Sequence, residues 1–306
     1  MKQMKIIRLT LCLLSLGMLA SCSDWTQMET IDNKVNKPWE QDPALWAQYT
    51  EALRSYKQGE HFVAYVRLYN SPKVAVSEQD FMRCLPDSLD FVSLTNADNF
   101  SAFDREDMAV MREKGTKVLY QVDYAGRAAE LNDAAKLGGY LDKVIAVVQA
   151  EGLDGYAFTG IPQIGDAATA ATAALIVEKL AADASKTLVF EGNPLFVAEA
   201  DRAKIDYFVL DTEKTVDVLN VRLQVLGALG YAKVPAAKLV LAADAGAPLL
   251  DEERKEFAAI DEMSRRVISF GPLAGLATYD ISKDYYHSDR NYQTIRTAIQ
   301  TMNPSK

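Results

Sequence analysis

The sequence predicts an α/β fold built as a single (β/α)8 barrel, preceded by a short N-terminal helix and a tether. Three observations carry this. A strand-like run followed by helical periodicity recurs eight times beyond Glu60, the eight units occupy about 240 residues, and no Pro/Ser/Gly-rich linker divides the chain after about residue 60. Alternating strands and helices give a parallel sheet with helices outside, and about 250 residues is usual for a closed eightfold barrel. An open doubly wound sheet would place a Gly-rich phosphate loop after the first strand, where HFVAYVRLYNSPK stands instead.

The first residues read as a secretion signal over 1–21. Lys2, Lys5 and Arg8 form a positive start, Ile6 to Ala20 is apolar, and Leu19-Ala20-Ser21-Cys22 closes the run with small residues before a cysteine. The run is too short to span a bilayer as a mature helix. The tetrad LASC resembles the bacterial lipobox, which implies that Cys22 becomes the first mature residue and carries a lipid. Residues 22–41 are then the anchor and tether, polar and unpatterned from Asp24 to Lys37. The expected location is the cell envelope, lipid-anchored to the outer membrane and surface-exposed.

The cysteines agree with this scheme. Cys12 lies inside the signal, Cys22 is the anchor, and Cys84 stands alone in FMRCLPDSLDF, so neither a disulfide nor a zinc or thiol site is expected. Cys84 reads as a small buried hydrophobe. Removing the signal leaves 30 basic against 42 acidic residues. An acidic surface of this kind repels phosphate backbones, which excludes nucleic acid as a partner and anionic lipid as a ligand. Membrane contact is expected through the anchor only.

The barrel domain is expected over 42–306. Its first helix starts at Asp42-Pro43, carries Leu45, Trp46, Tyr49, Leu53 and Tyr56 at helical spacing, and ends at Gly59. The eight strands are His61–Tyr69, Asp90–Leu94, Lys117–Asp123, Asp154–Phe158, Thr187–Glu191, Tyr207–Asp211, Lys238–Ala242 and Leu276–Ile281. Between them lie stripes such as Leu141-Val144-Ile145-Val148 and an alanine-rich helix over Ala167–Ala182.

Function in such a barrel sits at the C-terminal ends of the strands. The polar residues expected there are Asn70, Asn96, Asp123, Thr159, Glu191, Asn193, Asp211, Asp244 and Asp280. Aromatic faces beside these polar groups add Tyr279, Tyr285 and Tyr286 as candidate binding residues. His287 is one of only two histidines and makes no metal site without convergent partners. No cofactor is expected.

The fourth strand is the most specific. EGLDGYAFTGIP, Glu151 to Pro162, resembles the signature D-G-x-D-x-D-x-E of glycoside hydrolase family 18, with Asp154 and Gly155 at its first two positions. Side chains alternate across a strand, so the signature's last three acids share the face that points into the barrel. Here those positions hold Ala157, Thr159 and Ile161. The likeness spans about residues 48–285, through LRSYKQGEHFVAYVRLYN, LPDSLDFVSL, GTKVLYQVDY and LDGY. It is closest to chitinase- and endo-β-N-acetylglucosaminidase-like lipoproteins of glycan-uptake loci. In active members a proline follows the catalytic glutamate, and Pro162 holds that place after Ile161.

The resemblance implies a (β/α)8, or TIM, barrel and substrate-assisted hydrolysis. In that chemistry the sugar's acetamido oxygen attacks its own anomeric carbon while the protein supplies an acid and an orienting carboxylate. An isoleucine cannot hold a proton for the leaving oxygen, and loss of the acid alone costs on the order of 10²–10⁴ in rate. The expectation is a non-catalytic glycan-binding lipoprotein for N-acetylglucosamine-containing glycans such as N-glycans. Its expected partners are an oligosaccharide or glycoprotein glycan and an outer-membrane glycan transporter. Two alternatives stand beside it: a hydrolase using the displaced carboxylates Glu191 and Asp211, and a structural part of an uptake complex. Family enzymes also carry a tryptophan at the end of the eighth strand, where LATYDIS offers Tyr279, so the inherited sugar subsite is itself altered.

Overall fold

A computed structural model describes residues 37–304, so the signal over 1–21, Cys22 and most of the tether lie outside the described residues. The chain divides into two compact units, Met1–Trp46 and Ala47–Lys306. In the first, a short helix, Pro38–Gln41, falls at the end of the stretch read as tether, and the Trp39 and Trp46 rings lie 5.7 Å apart.

The second unit is the expected barrel. Eight parallel strands, β1 (Val63–Leu68), β2 (Phe91–Leu94), β3 (Lys117–Val122), β4 (Gly155–Gly160), β5 (Thr187–Gly192), β6 (Tyr207–Leu210), β7 (Leu239–Asp244) and β10 (Gly275–Tyr279), close in the order β1-β10-β7-β6-β5-β4-β3-β2. Each differs from its expected bounds by one or two residues at an end. The strand order keeps chain order around the ring, as right-handed strand–helix–strand crossovers require. One element was not expected. In the connection after β7, β8 (Pro248–Leu250) pairs antiparallel with β9 (Glu256–Ala258) across a charged turn, and three-residue strands are too short to show alternation in sequence.

Helix α1 (Pro43–Gln58) reaches the N-terminal end of the barrel, where Arg54 donates to the Glu113 carbonyl at 2.6 Å and Lys57 to the Thr116 hydroxyl at 2.7 Å. The outer helices are α2 (Ala102–Lys114), α3 (Ala134–Glu151), α4 (Ala167–Leu180), α5 (Val218–Leu226), α6 (Ala259–Ser269) and α7 (Gln293–Met302). Ser101, Asp133, Asp166 and Asp217 cap α2 to α5 by accepting backbone N–H groups.

The outward faces of the strands and the inward faces of the helices form one apolar layer, with Tyr156 and Phe158 of β4 in it. A second cluster fills the lumen: Val63 and Tyr65 of β1, Phe91, Leu119, Ala157, Val189, Val209, Val240, Ala242, Ala277 and Tyr279. Ala157 therefore points inward and Tyr156 outward, the parity the alternation predicts.

Asp154 belongs to a repeated device at the strand starts. Asp90, Asp154 and Asp206, just before β2, β4 and β6, each accept with Oδ2 the N–H of Ala64, Val118 and Leu188 on the preceding strand, all at 2.8 Å. Each returns its own N–H to the carbonyl of that same residue. The pattern locks register in pairs. Gly155 follows because a Cβ there would lie 2.0 Å from the Thr187 carbonyl oxygen. The Asp-Gly half of the β4 motif thus builds the barrel base, away from the mouth. Asp154→Ala should lower stability in urea denaturation by about 1.5–3 kcal/mol, the range for a hydrogen bond to a charged group. Gly155→Ala should cost more, because its clash is with backbone.

Candidate functional site

The C-terminal ends of the strands converge on one carboxylate. Glu191, inward on β5, has a side chain only 1% exposed. It accepts the Tyr65 hydroxyl, two N–H groups of Arg67, one of them Nε at 2.8 Å, and Gln121 Nε2 at 2.8 Å. β1 and β5 are four strands apart either way around the ring, so this bond set crosses the lumen. The Arg67 guanidinium also lies 3.5 Å from the centre of the Tyr279 ring. Burial disfavours the Arg67 charge, yet Glu191 more than offsets it and raises the Arg67 pKa. Burial, with Glu191 beside them, pushes the Tyr65 and Tyr279 phenols well up, so both stay neutral.

The β4 positions stand beside this strut. Ala157 is fully buried in the lumen, in register with Gln121 on β3. Thr159, paired with Glu191 across β4 and β5, donates to Asp123 Oδ1 at 2.8 Å and accepts the Ala125 N–H at 3.0 Å. Asp123 also accepts the Gly126 N–H, so this pair closes the turn after β3. Ile161 lies past the strand end, 66% exposed. Among these motif positions only Asp154 is acidic, and it serves the barrel base.

The remaining sequence-predicted residues disperse. Asn193 accepts the Leu195 N–H at 3.1 Å. Asn70 is buried between Asp104 and Asn96 and ties β1 to the start of α2. Tyr285 packs against Tyr292 and donates to Glu78 at 3.1 Å, whereas Tyr286 is 86% exposed with no ring contact among the described residues. His287 bonds Asp284 at 2.7 Å, and no cluster of metal-ligating groups exists among the described residues.

Beside the strut opens a cavity of about 380 Å³ between β1, β6, β7 and β10. Arg67, Tyr69, Asp80, Glu213, Lys214, Asp244, Tyr279 and Asp280 line it. Five of these residues, Arg67, Tyr69, Asp80, Glu213 and Lys214, escaped sequence reasoning. Tyr69, one residue past β1, is 61% exposed at the rim; its place as last residue of the expected first strand was the available signal. Glu213 sits two residues beyond Asp211, the same parity, and burial together with Asp211 pushes its carboxyl up to about 7. Burial and Asp280 likewise raise the Asp244 carboxyl. Asp280, at a positive φ of 49°, is exposed and pairs with Lys283 at 2.7 Å.

A model of glycoside hydrolase family 18, BT1044-like, matches residues 26–137. Over that stretch the chain resembles glycoside hydrolase family 18. Its fold is similar to a selenomethionine form of BT1044 carrying a glutamate-to-glutamine substitution, with TM-score 0.69 and 17% identity over 88% of this chain and 96% of that one. An endo-β-N-acetylglucosaminidase from Cordyceps militaris gives 0.61 and 18% over 84% and 96%. A chitinase from Bacteroides thetaiotaomicron gives 0.60 and 12% over 80% and 97%. No curated protein matches the sequence. The matched segment covers β1 to β3 and their connections and ends before β4.

Two outcomes test this site. Glu191→Gln should lower stability by about 3 kcal/mol in chemical denaturation, because it leaves the Arg67 charge largely buried without its partner. Glu213 holds its proton more tightly folded than unfolded, so the stability that proton brings is lost as pH rises from the ordinary carboxylate range through about 7. Calorimetry between about pH 5 and pH 8 should show a falling Tm that flattens in Glu213→Gln.

Proposed function

We propose that this family 18-like barrel is a non-catalytic glycan-binding protein, lipid-anchored through Cys22 to the outer membrane and working beside a glycan transporter. The observation that carries the reading is the inner face of β4. Ala157 and Thr159 offer no carboxylate to orient an acetamide or steady an oxazolinium-like intermediate, and Ile161 offers no acid to a leaving oxygen. Of the carboxylates beside Thr159, Asp123 is held by Thr159 and the Gly126 N–H, and Glu191, its register partner, has its oxygens occupied by Tyr65, Arg67 and Gln121. These bonds commit Glu191 as an acceptor and leave it no free oxygen toward the mouth.

Binding needs less: an aromatic face and convergent polar groups at a concave site. Tyr69 at the rim of the mouth cavity supplies the first, and Asp244, Asp280 and Lys214 the second. The activities of the fold neighbours, chitinase and endo-β-N-acetylglucosaminidase, favour N-acetylglucosamine-containing glycans as the ligand class. One observation favours a second reading, hydrolysis by displaced carboxylates. Glu213, protonated near neutrality beside Asp211, has the character of a general acid.

A glycan array run with a hydrolysis assay on N-glycan and chitin oligosaccharides separates the two. Binding without cleavage, weakened about tenfold by Tyr69→Ala, is the expected result. Turnover abolished by Glu213→Gln or Asp211→Asn would replace the first reading with the second. Absence of binding to every glycan would sink both.

A further inference from the structure

The ring of outer helices has a gap. Between β5 and β6 the chain forms two 3-10 segments, Pro194–Phe196 and Glu199–Lys204, and no α-helix. A groove of about 430 Å³ opens there, walled by Ile164, Ala167 and Ala170 at the start of α4, by Leu195 and Phe196 of the connection, and by Tyr231. Tyr231 ends the π-helical turn Gly227–Tyr231 that continues α5. A cavity of about 360 Å³ shares Leu195 and Tyr231 with the groove and reaches Gln224 and Gly227, which carries the depression to the flank of α5.

Beside the groove stands an uncovered ridge. Helix α5 buries Val218, Val221 and Val225 and presents Leu219, Leu223 and Leu226 outward, each more than half exposed. Spacings of four and three residues make them one apolar stripe, the surface a helix uses to pack on another element. Gly227 follows on the groove side. Its φ of −63° is ordinary for a helix, and a Cβ there would meet no atom of this chain within 4 Å, so nothing within the chain calls for glycine. Bare backbone at that point leaves room for a second chain to approach.

Charge selects the occupant. Arg222 is the only charged residue of α5, exposed and in no ion pair among the described residues, and Asp166 is the only charged residue lining the groove. Ridge and groove thus carry one charge each, of opposite sign, and lie side by side on one face, the self-complementary layout of a two-fold interface. Gln224 faces the groove side, and Arg222, two residues earlier and so about 200° around the helix, stands on the far flank. Rotation of a second copy about an axis between ridge and groove brings that copy's α4, with its Asp166, to the same flank.

We infer that the chain pairs with a second copy of itself through this face, the α5 ridge of each copy seated in the groove of the other, where the outer helix after β5 is missing. The pairing is independent of what the barrel mouth binds. Away from this face two copies repel, at a net charge of −9 each. Ridge and groove, each about 14 Å long and one helix wide, fall below the roughly 800 Å² per partner of a standard stable complex, so the dimer is micromolar and exchanging.

Sedimentation velocity of the full chain across the micromolar range tests this and should show a concentration-dependent monomer–dimer equilibrium. Leu223→Asp should weaken the dimer about tenfold or more. Gly227→Ala, which favours the helix, should raise the melting temperature yet weaken the dimer, so that loss of pairing there is not loss of fold. Arg222→Glu should weaken pairing about tenfold, and by less in an Asp166→Ser background, since serine keeps the α4 cap and drops the charge. A wild-type chain that stays monomeric, a dimer indifferent to both Leu223→Asp and Gly227→Ala, or additive effects at Arg222 and Asp166 would overturn the inference. So would a monomer that instead co-sediments with phosphatidylcholine vesicles and loses that property in Leu223→Asp.

Discussion

The bond set between Glu191 and Arg67 organises the mouth of this barrel. A carboxylate on β5 and a guanidinium on β1 face each other from opposite strands, so their pairing spans the lumen at the level where a family 18 site would hold its acids. Neither charge would be tolerable there alone, because desolvation of an unpaired ion costs several kcal/mol. Together with Tyr65, Gln121 and the Tyr279 ring against Arg67, they form a closed polar layer above the apolar lumen.

That layer makes sense of β4. Thr159 is the register partner of Glu191, and cross-strand neighbours stand about 5 Å apart. An aspartate at 159 would set a second carboxylate against the first and compete for Arg67. Threonine instead turns to Asp123 and closes the turn after β3. Ala157 leaves the space above it to Gln121, its register partner, which donates to Glu191. The side chains on β4 and the carboxylate on β5 are therefore one arrangement, a buried strut flanked by small neighbours.

A group of carboxylates lies on the other side of the mouth. Glu213, Asp244 and Asp280 follow β6, β7 and β10, where strand-end connections can carry carboxylates without disturbing the ring of backbone hydrogen bonds. Burial first, and then a carboxylate neighbour, Asp211 for Glu213 and Asp280 for Asp244, makes two of them hold protons more tightly than usual. The barrel base shows the contrasting use of the same side chain: Asp90, Asp154 and Asp206 spend their charge on backbone N–H groups and set register.

Periodicity alone carried the barrel, because eight strand-and-helix units can bury their apolar faces in few ways. It also carried the inward parity of Ala157 and Thr159, which follows from the pleat. The β8–β9 hairpin was illegible, since three-residue strands show no period. So were the roles of the strand-end acids. Asp123, Asp154, Glu191 and Asp280 look alike in sequence, each one carboxylate near a strand terminus. What separates them is partners brought from far along the chain: Thr159 for Asp123, Val118 for Asp154, Arg67 for Glu191, and only the nearby Lys283 for Asp280. Glu213 and Tyr69 matter only because ring closure sets the ends of β1, β6, β7 and β10 around one cavity. The sequence by itself determined the fold, the family likeness and the absence of acids at positions 157, 159 and 161, all local or periodic properties. Which carboxylate is locked, which pairs with another carboxylate and which faces the cavity were decided by tertiary structure, because charge and desolvation depend on neighbours in space.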